Sequence, residues 1–294
     1  MEKIPLEPPI QRPESRHHLP NIPDFRDVGV TVNAWANRKI LKEGVLYRSA
    51  AIEQASPIDR KFLKDELGIR TILDLRRGSE RSKAEAEAQA LAQSQPSRET
   101  FDISSKITGI HYKKVNLIGR QTKKYLLQHI SWTNWLRFSI LYYILQDHMA
   151  TKRIITRKLW ENNGLNGFLI NILDHGKPQV IKALRALTEP AKGTPILIHC
   201  AHGKDRTGLL ITIILLVMNI PLDAISHDYC YSEQRLYEQH EITDKYTEDS
   251  GLNQGFVEEL DTYIRRVYGG IDGYLSSGGF TAAEIRHLRN CLAA

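Results

Sequence analysis

A chain of 294 residues with 41% hydrophobic content can bury one sizeable core, and a single main domain is expected. Its three cysteines, at 200, 230 and 291, show no paired spacing, which argues against a disulfide framework or a zinc site and suits a reducing compartment. The net charge of +6 favours anionic ligands but is equally ordinary for a soluble protein.

The opening stretch "MEKIPLEPPIQRPESRHHLPNIPDFRD" holds six of the twelve prolines and no apolar run. Residues 1–20 therefore read as an extended arm, with neither a secretory signal nor a membrane anchor. The longest uncharged apolar stretch, Leu209 to Ile220, falls short of the roughly 20 residues needed to cross a bilayer. A soluble, cytoplasmic protein is expected.

Two short runs, "GVLYRSA" (44–50) and "IRTILDLR" (69–76), are bounded by glycine and polar residues and suit strands. Between them Ser56 is placed to cap a helix, with Pro57 at its first position and Gly68 as its stop. Residues 80–93 are rich in helix formers but lack an apolar face, which predicts an exposed helix. "GIHYKKVNLI" (109–118) is the next strand. Strand, helix, strand, helix, strand points to an α/β sheet.

From Ser131 to about Trp160 the spacing predicts a helix that is apolar on nearly every side, so it is either core or a lid over a site. Residues 119–175 are accordingly read as a helical insertion. "KPQVIKALRALTEP" (177–190) predicts an amphipathic helix ending before Pro190, and "TPILIHC" (194–200) a buried strand. "TGLLITIILLVMN" (207–219) is apolar all round, as a central helix is. Helices follow at 221–239, at 253–270, and after Thr281, which has Glu284 three positions on.

Between the buried strand and the central helix stands "HCAHGKDRTG", residues 199–208. A loop that wraps a helix N-terminus turns its backbone N–H groups inward, and the helix dipole favours negative charge there. Gly203 and Gly208 permit a tight turn and close helix packing. The cup formed by Cys200, Ala201, His202, Gly203, Lys204 and Thr207 suits a phosphate. Cys200, at its lip, is a candidate nucleophile, because the helix terminus and nearby Lys204 and Arg206 favour thiolate over thiol. Arg206 offers a planar fork able to hold two phosphoryl oxygens. The chemistry predicted is attack of sulfur on phosphorus, then hydrolysis of the phosphocysteine.

Cysteine, five residues, arginine and Thr207 resemble the signature loop of the cysteine-based protein tyrosine phosphatases, in the form found in their atypical tyrosine and dual-specificity branch. "NIPDFRDVGV" (21–30), "LYRSA", "IRTILDLRRGSE" and "YGGIDGYLSSGGFTAAEIRHLRNCL" are similar to further elements of that branch. The resemblance spans most of 21–292 except about 119–175. It implies one phosphatase domain over 21–294, with a central, mostly parallel sheet flanked by helices. Cys200 is then nucleophile, Arg206 the phosphate clamp, and His199 a support that orients the loop. No metal or cofactor is implied. The partner implied is a phosphorylated protein or a phosphoinositide, with no nucleic acid and no integral membrane segment.

The leaving oxygen needs a proton, and no Trp-Pro-Asp occurs to deliver it. In the resembling branch Asp205 supplies it. Alternatively Asp205 caps the helix or pairs with Lys204 or Arg26, and Asp174, in "LDHGKP" upstream of the phosphate loop and in a segment that Gly176 and Pro178 would let swing, is the acid. Lys204 accompanies activity on inositol phosphates or phosphoinositides in the resembling branch. Two other classes remain open: a phosphate-binding module without turnover, and a rhodanese-like sulfur transferase, whose loop lacks this Arg-Thr pair. His17, His18 and His202 show no metal spacing, Cys230 and Cys291 read as packing residues, and Asp74 and Arg76 either brace the loop or end their strand.

Overall fold

A computed structural model of the chain describes residues 19–94, 106–128, 164–189, 193–239 and 255–294. The N-terminal arm through residue 18 and the predicted Ser131–Trp160 helix lie outside the described residues.

Five short strands, β1 (Arg26–Asp27), β2 (Leu46–Ser49), β3 (Thr71–Asp74), β4 (His111–Lys114) and β5 (Ile196–His199), form one sheet in the order β1-β2-β5-β3-β4. All neighbours run parallel except β1 against β2. This is the mostly parallel α/β sheet expected. Alternation along the strands sorts side chains to two faces. Leu46, Leu73, Ile196 and Ile198 enter the larger apolar cluster, whereas Tyr47, Ile72 and Leu197 enter a smaller one on the opposite side.

The helices are α1 (Val28–Ala36), α2 (Pro57–Lys61), α3 (Gly78–Ser94), α4 (Arg120–Gln128), α5 (164–175), α6 (Lys177–Thr188), α7 (Asp205–Val217), α8 (Leu222–Gln239), α9 (Phe256–Tyr268), α10 (Ile271–Ser277) and α11 (Ala282–Leu292). The predicted caps of α2 and α11 are present, with reciprocal bonds between Ser56 and Asp59 and between Thr281 and Glu284. Past Lys61 the chain widens into a π-type turn at Phe62–Glu66 before stopping at Gly68, φ +65°.

Helix α1 was not among the predicted elements. Val28, Val30, Thr31 and Val32 favour strands by propensity, but Asp27 accepts from the amides of Gly29 and Val30 and starts a helix. Val28 and Val32, one turn apart, are then both fully buried.

Helix α7 is buried from Thr207 to Val217. A helix without a polar face cannot lie on a surface, so α8 and α10 cover it. In the predicted 119–175 insertion, Leu169, Ile172 and Leu173 of α5 are fully buried in the main cluster. That end of the segment is core.

Candidate active site

The loop Cys200–Lys204 leaves the carboxyl end of β5, between β2 and β3, and runs into α7. Open parallel sheets place ligands at this edge. Cys200 is only 2% exposed and belongs to the main apolar cluster, so it sits inside the protein rather than at the lip the sequence suggested. Strand β5 carries the chain into the core before the loop begins.

The loop is held from behind by its carbonyls. The Cys200 carbonyl accepts from His199 Nδ1 at 3.2 Å, that of Ala201 from the Ala51 amide at 3.1 Å, and that of Gly203 from Arg48 Nη2 at 2.8 Å. Among the described residues, no protein group accepts from the amides of Ala201, Gly203, Asp205, Arg206 or Thr207. Orphan donors at a helix N-terminus are what an anion uses. Gly203 adopts φ +78°, and a Cβ there would lie 2.8 Å from the Ser49 and Ala50 backbone. Glycine is required both by conformation and by space. At Gly208 a Cβ would stand 2.7 Å from the Tyr229 ring, so its absence lets α8 approach α7.

His199 is fully buried, and burial holds its imidazole below the usual range despite Asp74 nearby. With a carbonyl as partner, Nδ1 carries the proton, which suits an orienting role. Asp74 accepts from Arg76 Nε at 3.0 Å, and Arg76 reaches on to Glu53. Asp74 is in register with His199, and the Leu75 amide donates to the His199 carbonyl at 2.9 Å. The pair therefore braces the strand that launches the loop.

Arg206 lies end-on against Glu80 of α3: Nη1 donates to Oε2 at 2.8 Å and Nη2 to Oε1 at 2.7 Å. Burial works against the guanidinium's charge, but the hydrogen bonds to Glu80 and its charge outweigh that and raise its pKa. Burial likewise opposes ionisation of Glu80, yet the bonds from Arg206 win and bring it down to about 2. An end-on carboxylate occupies two of five N–H donors and leaves the Nε edge for a second oxyanion. Glu80 was missed in the sequence because "ERSKAEAEAQ" reads as an exposed helix face. Its one signal was position, six residues beyond the end of β3 at the edge where the loop emerges.

Asp205 opens α7. Its Oδ1 is buried without a hydrogen-bond partner, and among the described residues it forms no ion pair. Neither the cap nor the pairing with Arg26 occurs, since Arg26 is engaged by Asp24 and Asp228. Asp174 ends elsewhere: it accepts from Tyr268 at 2.6 Å and from Tyr263, both on α9. Thr207 Oγ1 is also buried and, among the described residues, has no hydrogen-bond partner. Lys204 is 8% exposed at the start of α7, and His202 is exposed. Cys291 packs in the core beside His287. The remaining cysteine, Cys230, is half-buried on α8.

A model of the tyrosine phosphatase family matches residues 17–294. A tyrosine-protein phosphatase of Nostoc commune is 26% identical over 160 residues, 48% of this chain and 54% of that protein. The triple specificity protein phosphatase PtpB of Mycobacterium tuberculosis is 28% identical over 130 residues, 37% of this chain and 47% of that one. The chain thus spans about half the length of the curated relatives it matches. Among solved structures, the core catalytic domain of the PP-IP phosphatase SIW14 from S. cerevisiae aligns at 20% identity and a TM-score of 0.34, over 80% of this chain and 93% of that one.

Proposed function

Because this chain belongs to the tyrosine phosphatase family, we propose that it is a cysteine-dependent phosphatase acting on phosphotyrosine, with phosphoserine and phosphothreonine as further substrates. The observation that carries this reading is the cup itself: Cys200 and Arg206 stand at the two ends of the loop, and among the described residues the amides of Ala201, Gly203 and Asp205 between them have no protein acceptor.

In the proposed reaction the phosphate enters the cup and its oxygens take the loop amides and the Nε edge of Arg206. The sulfur of Cys200 attacks phosphorus, an S–P bond forms, and the P–O bond to the leaving group breaks. Asp205 gives its proton to the departing oxygen. Its buried, unpartnered oxygen supports this role, because a carboxyl committed to no cation is available to hold and release a proton. Asp174, tied to two tyrosine hydroxyls, is the weaker candidate. Water then attacks phosphorus while Asp205 takes back one of its protons, the S–P bond breaks with its electron pair left on the sulfur of Cys200, and inorganic phosphate leaves. Negative charge building on the equatorial oxygens meets fixed amide dipoles and a guanidinium already in place.

A second reading, hydrolysis of phosphoinositides or inositol phosphates, is supported by Lys204, a further cation at the start of α7 beside Arg206. The test is phosphate release from phosphotyrosine, phosphoserine and phosphothreonine peptides and from inositide head groups, each with a Cys200→Ser control. Turnover of phosphopeptides that Cys200→Ser abolishes supports the first reading, and turnover confined to inositides supports the second. Phosphate binding without turnover of any substrate would leave a non-catalytic phosphate reader.

A further inference from the structure

Behind the loop lies a group of charges that the sequence did not connect. Arg48 of β2 is fully buried; its Nη1 donates to Asp228 of α8 and its Nη2 to the Gly203 carbonyl at 2.8 Å. Asp228 is also buried and accepts from Arg26 Nε at 2.9 Å. Arg26 in turn donates from Nη2 to the Asp228 carbonyl and to Ser232 Oγ, each at 2.7 Å, and from Nη1 to Asp24. Ser232 closes the ring by donating to Asp24 at 2.8 Å. Segments 202 residues apart are joined by these bonds.

A buried guanidinium spends its directionality where it points. In a trans peptide the C=O of one residue and the N–H of the next point opposite ways. Drawing the Gly203 carbonyl backward therefore aims the Lys204 amide forward, to the side where the Ala201 and Gly203 amides find no protein acceptor.

We propose that Arg48 is a positioning residue: by holding the Gly203 carbonyl it sets the direction of the Lys204 amide in the phosphate cup, and Asp228 fixes Arg48 for this task. The inference rests on the phosphatase reading for its kinetic arm only. Lysine is the informative replacement, since a point charge on a flexible stem keeps Asp228 paired but does not span to the carbonyl as the rigid fork does.

Two readouts test it. In the first, p-nitrophenyl phosphate hydrolysis is followed for wild type, Arg48→Lys and Leu288→Ala, a core variant on α11 that lowers stability without touching the loop. Arg48→Lys is expected to lose about 100-fold in kcat at a temperature where it stays folded, in line with the loss of one oxyanion donor. Leu288→Ala is expected to melt earlier with kcat intact. In the second, tungstate binding by calorimetry in the Cys200→Ser background is expected to weaken at least tenfold on adding Arg48→Lys. An inactive wild type would defeat the phosphatase reading and leave this second arm to judge Arg48.

A folded Arg48→Lys with kcat and tungstate affinity within threefold of their parents overturns the proposal. Should Arg48→Lys fail to fold, Asp228→Asn serves, as it keeps the shape and loses the charge that fixes Arg48. A tenfold fall in kcat or in tungstate affinity supports the proposal, and values within threefold in both overturn it.

Discussion

The carboxylate of Glu80 meets the guanidinium of Arg206 through two parallel hydrogen bonds of 2.8 and 2.7 Å, fixing one edge of the fork while leaving another free. This relationship joins an exposed helix to the loop proposed to hold phosphate. An arginine free to rotate must be ordered anew at every turnover, whereas one held by its far edge is ordered beforehand. Glu80→Gln keeps one acceptor and is expected to lower kcat/KM about tenfold on p-nitrophenyl phosphate, and Glu80→Ala more. Equal or higher kcat/KM in both variants would mean that Glu80 competes with the phosphate instead of preparing its site.

Since Glu80 is brought down to about 2 in the folded state, the ion pair adds stability above its ordinary value of 4.5 and loses that contribution as pH falls through about 2. Activity measured between pH 5 and 8 should show no inflection from Glu80. An inflection near pH 4.5–5 that Glu80→Gln removes would contradict the geometry.

The proton donor is separable by leaving group. Asp205→Asn is expected to slow phenyl phosphate hydrolysis by about 10²–10⁴, the usual worth of general acid help, and to slow a substrate with a better leaving group much less. For Asp174→Asn the expectation is different: kcat unchanged on both substrates and a lower melting temperature, because one tyrosine hydroxyl of α9 loses a charged acceptor. Full rates for Asp205→Asn on phenyl phosphate would eliminate it as the acid.

Gly203→Ala combines a positive φ with a Cβ 2.8 Å from backbone that does not yield. A cost of about 1–3 kcal/mol is expected from strain alone. The loop is the part able to move, so most of the damage should appear in activity: about 100-fold in kcat, against a fall of a few degrees in melting temperature.

His227, stacked on Trp35 at 4.1 Å, is 5% exposed, and among the described residues neither ring nitrogen has a hydrogen-bond partner. Burial lowers its pKa, opposed by Asp228 and assisted by Arg26. The unfolded chain then binds a proton that the folded one refuses, so stability rises with pH through the window below 6.5. His199 acts in the same direction. Denaturant unfolding at pH 5.5 should show a lower midpoint than at pH 7.5, and His227→Phe should narrow that difference. A midpoint independent of pH across this range would count against both buried neutral imidazoles.

Much of the fold and the loop proposed as the centre of the site can be read in the linear chain, because the information is local. The Ser56 and Thr281 caps, the apolar run through 209–217, the branched residues of β5, and the Cys200 to Arg206 spacing each depend on neighbours a few positions away. Local rules failed where propensity and capping disagreed, as in α1, where Asp27 outweighed a strand-like valine run. What only the tertiary structure decided are the partners. That Glu80 would hold Arg206, that Asp174 would be bound by Tyr263 and Tyr268, and that Arg48 would pin Gly203 while sharing Asp228 with Arg26 all follow from how the sheet edge and helices meet. Charged side chains carry no periodic signature, and a buried ion pair is selected by the three-dimensional packing that removes water from both members at once.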